Sequence, residues 1–582
     1  MSSSVVSTTV SNTTESLSGI GDDLLVTSLG SIVETNGIYG VDSTASGQAI
    51  TVDGLVYSAD AGAGVAVHLG STRANLLVDG QVMGDTGVFS DGSGNSITVG
   101  SQGSIDSVDS MASIVGTAVY LEGPFNNPTA TGNTLTNNGD VSAGFSAAYQ
   151  AVSVYYGGDD LILNSGRIEG AAGINFESNA ATETVENSGT IQGGSVAAIE
   201  SYSSTGVDID NSGLLTDGSA NSLNSFSAVL YFDDNAGTTS VIDNQGTITG
   251  AGYVIQSASD LLDISNSGTI HGGLYSTAAV SVYNAGLWQG QDASNVTVFS
   301  LSASGNSIAN SKTGAITGAL SMLGGADTIA NAGSIDGAVT LAAGNDALTN
   351  TGIIDGAVSL TGTGAANALM NSQSGTMTGA ISITGSSDRF DNAGAIDGAV
   401  TLLAGGDVFT NSGAIDGAVT FTEPGTGNKV TNSGSITGNV TIDGGNSAFS
   451  NSGSITGSLL LTTGGTATNT GTINGNVTLV GTSITVDTSR GKVTGAITAS
   501  SSDTFDEAGL FGTQTINSFI VGGGATHDTI QFAANDFGTF AAVQAATTQV
   551  GSDTLIKLGA NDTITLVGVT ASSLVAADFK FV

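Results

Sequence analysis

The sequence predicts an all-β protein: a single elongated parallel β-solenoid (β-helix) of about 21 coils, with a C-terminal β-rich secretion or capping region. Three observations predict it. A motif of about twenty residues recurs along most of the chain. Within the motif, apolar and polar residues alternate, as in strands with one buried face. The composition suits a long, thin core: of 582 residues, 39% are hydrophobic but only 5% aromatic, with 87 glycines and 3 prolines.

The motif is clearest between residues 321 and 500. One copy runs Gly325-Ala326-Asp327-Thr328-Ile329-Ala330-Asn331-Ala332-Gly333-Ser334-Ile335-Asp336-Gly337-Ala338-Val339-Thr340-Leu341. Its asparagine recurs at Asn331, Asn350, Asn371, Asn392, Asn411, Asn432, Asn451 and Asn469. The corner glycine persists in looser spacing at Gly286, Gly268, Gly246, Gly213, Gly189, Gly166 and Gly139, and in degenerate form at Gly103, Gly80, Gly54 and Gly30. Alternation such as Ile335-x-Gly337-x-Val339-x-Leu341 supplies strands. Asn-x-Gly and Asp-Gly supply turns, because Asn and Gly tolerate positive φ. Stacking such coils aligns each asparagine with the next and predicts an amide ladder. The organisation expected is a flexible segment over 1–20, irregular coils with insertions over 21–320, regular coils over 321–500 and the C-terminal region over 501–582.

Charge narrows the function. Fifty acidic residues against nine basic ones give a net charge of −41. A nucleic-acid partner needs a Lys/Arg footprint that this chain lacks. The absence of cysteine excludes disulfides, zinc–thiolate sites and thiol nucleophiles. No apolar run reaches the length of a membrane-spanning helix. The first residues, MSSSVVSTTVSNTTESLSG, lack the basic and apolar regions of a cleaved signal peptide, so export is expected by another route.

The N-S-G-x-I-x-G-x-V-x-L coils resemble the passenger β-helices of autotransporters and related large bacterial surface proteins. The last 80 or so residues resemble the C-terminal secretion region of type I secreted proteins of the RTX kind. The matching stretches are Asp528-Thr529-Ile530-Gln531-Phe532, Phe540 to Ala546, Asp553-Thr554-Leu555-Ile556, Asp562 to Val569 and Leu574 to Val582. This resemblance implies an uncleaved C-terminal signal, the type I secretion apparatus as a partner and an extracellular home on a Gram-negative cell surface, as for several surface-layer proteins. The full RTX nonapeptide is not found; only half-motifs remain, such as Gly325-x-Asp327 and Gly344-x-Asp346.

Two aspartate positions recur nine residues apart: Asp327 with Asp336, Asp346 with Asp355, Asp388 with Asp397, and Asp407 with Asp416. Stacking would bring like charges to about 5 Å, where they repel by roughly 1 kcal/mol even in water. Either the carboxylates are solvated or a cation lies between them, so these eight residues are candidate calcium columns, Ca2+ being the implied cofactor.

The chain is not expected to be an enzyme. Tyr155, Tyr156, Asp159 and Asp160 form the one compact aromatic–acidic cluster in the sequence, and it reads as a turn. Trp288 is the single tryptophan, and the histidines (His68, His271, His527) are scattered. The expected function is a self-assembling structural protein of a surface layer, filament or biofilm matrix, with insertions over 104–138 and 214–240 as lateral contact loops. The alternatives are an adhesin for a host surface or for a glycan such as a cell-surface polysaccharide and, less favoured, a β-helix polysaccharide-acting enzyme.

Overall fold

A computed structural model describes residues 2–59, 64–108, 116–123, 132–144, 149–179, 181–218, 228–290, 297–362, 366–422, 427–462, 464–509 and 512–582. Parts of the two predicted insertions, residues 109–115, 124–131 and 219–227, lie outside the described residues. The chain is a parallel β-solenoid in two compact units, Met1–Met322 and Leu323–Val582.

A coil of the second unit has three short strands. Thr328–Asn331 ends at the repeating asparagine, Ser334–Asp336 follows the corner glycine, and Val339–Ala342 completes the turn. Each pairs in parallel with its counterpart one coil later: Thr328 with Ala347, Ser334 with Ile353, Val339 with Val358. Alternation then decides what is buried. Ile329, Ile335, Val339 and Leu341 point inward, and Ile354, Val358 and Leu360 repeat them in the next coil. Burying each such side chain stabilises the stack by about 1.5–3 kcal/mol. Where space allows, rings fill the core, as in the edge-to-face series Phe390, Phe409 and Phe421.

The first unit is built alike but with longer third strands, for example Ala172–Glu177 beside Gln150–Tyr155. Residues 3–17, expected to be flexible, instead form three strands that pair with the coil after them: Ser3 with Asp23, Thr9 with Ser31 and Glu15 with Val41. Their apolar positions Val6 and Leu17 are buried, which the Ser/Thr-rich composition conceals.

Towards the C-terminus the pattern changes. Thr504–Asp506, Thr529–Phe532 and Phe579–Phe581 continue one parallel sheet. Between them a six-residue helix, Phe540–Ala545, leads into antiparallel strands Thr547–Val550, Asp553–Lys557 and Thr563–Leu566. This is the β-rich closing region that the sequence predicts.

The asparagine ladder is present in both units. In the second, each Nδ2 donates to the next Oδ1 from Asn331 through Asn469 at 2.7–2.9 Å. In the first, Asn137, Asn164, Asn187, Asn211, Asn244, Asn266, Asn284 and Asn310 do the same over 2.7–2.9 Å. The corner glycines serve differently from expectation. Gly352 and Gly413 do not carry positive φ; a Cβ on Gly413 would lie 2.1 Å from the carbonyl oxygen of Gly394 one coil away. Crowding between coils, and not turn geometry, requires glycine there.

Candidate functional site

Positive φ falls at the other corner, two residues before the first strand: Ala326, Asn345, Ser387 and Gly406 in the second unit, Gly94 and Asp159 in the first. That left-handed residue turns the next side chain inward, and those next residues include Asp327, Asp346, Asp388 and Asp407. All four are at most 1% exposed.

The carboxylates of Asp346, Asp388 and Asp407 continue the backbone ladder around the corner. The Asp327 N–H donates to Asp346 Oδ1 at 2.9 Å, and the Asp388 N–H donates to Asp407 Oδ1 at 3.0 Å. Two asparagines stand in the same column: the Asp346 N–H donates to Asn367 Oδ1 at 3.2 Å, the Asn367 N–H to Asp388 Oδ1 at 2.7 Å, and the Asp407 N–H to Asn428 Oδ1 at 3.0 Å. The second oxygens of Asp346, Asp388 and Asp407 are buried with no hydrogen-bond partner. Burial raises all three carboxyls above the usual range; in Asp407, pushed up to about 6, the Asp388 charge adds to it.

The other predicted column behaves oppositely. Asp336, Asp355, Asp397 and Asp416 are exposed, at the end of the strand that follows the corner glycine or just past it. Asp355 accepts from the Thr378 hydroxyl and Asp416 from that of Thr437. The eight aspartates are therefore two separate columns, one inside the wall and one outside. Among the described residues, no three His, Cys, Asp or Glu side chains gather as a metal-binding group.

The first unit uses the same corner. The Asn133 N–H donates to Asp160 Oδ1 at 2.6 Å, and the Asp160 N–H to Glu183 Oε2 at 2.7 Å. Burial, with the Asp160 charge behind it, pushes the Glu183 carboxyl well up. Of the predicted Tyr155–Tyr156–Asp159–Asp160 cluster, Asp160 thus belongs to the ladder and Asp159 is the exposed, left-handed turn residue (φ 58°). The two tyrosine hydroxyls lie 3.3 Å apart.

What sequence reasoning missed is a strip of rings and carboxylates on the outer side of the third strands. Tyr39, His68, Phe89 and Tyr120 stack with centroids 4.4, 5.3 and 5.4 Å apart. His68 is held by Asp42 at Nδ1 (2.8 Å) and Asp91 at Nε2 (3.2 Å). Burial alone would lower its pKa, but the hydrogen bonds to Asp91 and Asp42 raise it overall. Further along, register alternates acid and ring: Glu122 beside Tyr155, Tyr155 beside Glu177, Glu177 beside Tyr202. Tyr202 and Tyr231 are 5.7 Å apart, Tyr253 and Tyr275 5.6 Å. Glu200, accepting from the Tyr202 hydroxyl at 3.4 Å, is pushed up to about 7, chiefly by burial. The partners on successive coils sit twenty or more positions apart in the chain; only coil register brings them together.

No protein-family model matches this chain, and no curated protein does. The solenoid and its side-chain columns are thus the ground on which function is argued. None of the described helices is long and apolar enough to cross a membrane.

Proposed function

We propose that the chain is a secreted structural protein, exported by a type I apparatus to the surface of a Gram-negative bacterium, where copies assemble into a layer, filament or matrix. The observation that supports this is the unbroken asparagine ladder in each unit. Ladders of buried amides on top of parallel backbone pairing hold successive coils in one register, which suits a stiff load-carrying element. The net charge of −41 keeps such a chain hydrated and cation-seeking.

A second reading, an adhesin for a glycan, is favoured by the strip on the first unit. Half-exposed rings offer apolar edges to sugars, and neighbouring carboxylates offer acceptors to their hydroxyls. One experiment separates the two. Electron microscopy of the purified protein, with and without calcium, is expected to show sheets or fibres. Dispersed single particles that bind immobilised polysaccharide would replace assembly by adhesion.

A further inference from the structure

The third strands of the first unit carry two rows of side chains on their outer side, because residues two apart along a strand share a face. Tyr120, Ser153, Asn175, Glu200 and Tyr231 follow one another in register in the first row, and Glu122, Tyr155, Glu177 and Tyr202 in the second. The second row therefore alternates acid and ring from coil to coil. Glu177 and Tyr202 are open to solvent, Tyr202 being 43% exposed. The first row lies deeper, with Asn175 and Glu200 only 3% and 5% exposed. Asn175 stands between the core residues Ile174 and Phe176, so alternation puts its amide on the side of the strip, and its Oδ1 is buried without a hydrogen-bond partner. Among the described residues, neither row holds Lys, Arg or His from Tyr120 to Tyr231, and the charges of Glu122, Glu177 and Glu200 meet no base there.

We propose that Glu122, Tyr155, Asn175, Glu177, Glu200 and Tyr202 form a binding site for an aliphatic polyamine. A ring face attracts a cation through its quadrupole, and a carboxylate beside it adds charge and accepts N–H bonds. A polyamine repeats the order of the second row. Ammonium groups lie over Glu122 and Glu177, two rungs or roughly 10 Å apart, and the methylenes between them pack on Tyr155. The unpaired Asn175 Oδ1 calls for an N–H donor, which a primary ammonium has and a quaternary one lacks. A neutral sugar would use the rings but leave three carboxylates uncompensated. The site lies within one chain and goes beyond both the assembly and the glycan readings, so it can fail while either stands, and the reverse.

The test is calorimetric titration of the full chain at mildly alkaline pH, where Glu200 (about 7) is ionised. Salt at about 0.15 M damps diffuse attraction to the acidic surface. The probes are hexamethylenediamine, hexamethonium (the same charges and spacer without N–H donors) and a neutral oligosaccharide. The diamine is expected to bind roughly tenfold more tightly than hexamethonium, and the sugar to leave it in place. Glu177→Gln and Tyr202→Ala, the second removing a ring and no charge, are each expected to weaken the diamine roughly tenfold. Both residues are exposed, so both variants should melt with the wild type, and Asp397→Asn in the second unit should leave binding unchanged. Undiminished binding in Tyr202→Ala, or an equal loss in Asp397→Asn, would overturn the proposal, the diamine then merely condensing on net charge. Equal affinity for hexamethonium would overturn it too, as would displacement of the diamine by the sugar, which would return the strip to the glycan reading.

Discussion

At the scale of single residues, side chains here do the work usually left to backbone. Asn392 accepts from Asn371 and donates to Asn411, both at 2.8 Å, while also reaching the Gly394 carbonyl. Cutting it leaves buried neighbours unsatisfied, at about 1–3 kcal/mol for each stranded group. Asn392→Ala is therefore expected to destabilise the second unit by about 2–4 kcal/mol in denaturant unfolding. A loss below about 0.5 kcal/mol would show that the ladder is ornamental to stability. The amide ladder is readable from the recurring asparagine. The carboxylate column is not, because Asp327 and Asp336 look alike in sequence, and only the left-handed residue ahead of the first sends it inward.

At the scale of the coil, stacking distance is the governing constraint. Corner glycines pack against one another from coil to coil, Gly413 on Gly394 and Gly434 on Gly413. A methyl group at Gly413 meets a carbonyl that is itself paired, so neither can yield cheaply. Gly413→Ala is expected to cost roughly 1–3 kcal/mol by overpacking. The same change at the open turn glycine Gly512 meets nothing within 4 Å, though its φ of 70° adds strain. Comparing the two by thermal melting separates crowding from backbone conformation. If Gly413→Ala melts with the wild type, coils can spread and the packing argument fails.

At the scale of the whole molecule, the lopsided charge and the buried acids give stability a definite pH dependence. Glu200 (about 7) and Asp407 (about 6) are raised in the folded chain chiefly by burial, as are Glu183 and Asp234 in the same direction. The folded state keeps protons that the unfolded chain releases, so stability falls as pH rises from the unfolded carboxyl range through these folded values. His68, raised by its two aspartates, has the same sign: its contribution is lost as pH climbs through its folded pKa. In chelator, the melting temperature is expected to decline steadily between about pH 5 and pH 7.5. Glu200→Gln should flatten part of that slope. A melting temperature that rises with pH over this interval would contradict the buried-acid account.

The sequence by itself determined the solenoid: strand alternation, corner glycine and ladder asparagine are local, periodic properties, and a repeat can satisfy its backbone only by stacking on its neighbours. Tertiary structure alone decided which side chains share a column. Insertions of unequal length separate successive ladder asparagines by anything from 18 positions, between Asn266 and Asn284, to 33, between Asn211 and Asn244. Spacing along the chain therefore hides the aromatic–acidic strip, and it does not tell which of the two aspartate columns is buried. Register, set by hydrogen bonds between coils, places one column in the wall and the other in water, and so decides which carboxylates need a partner.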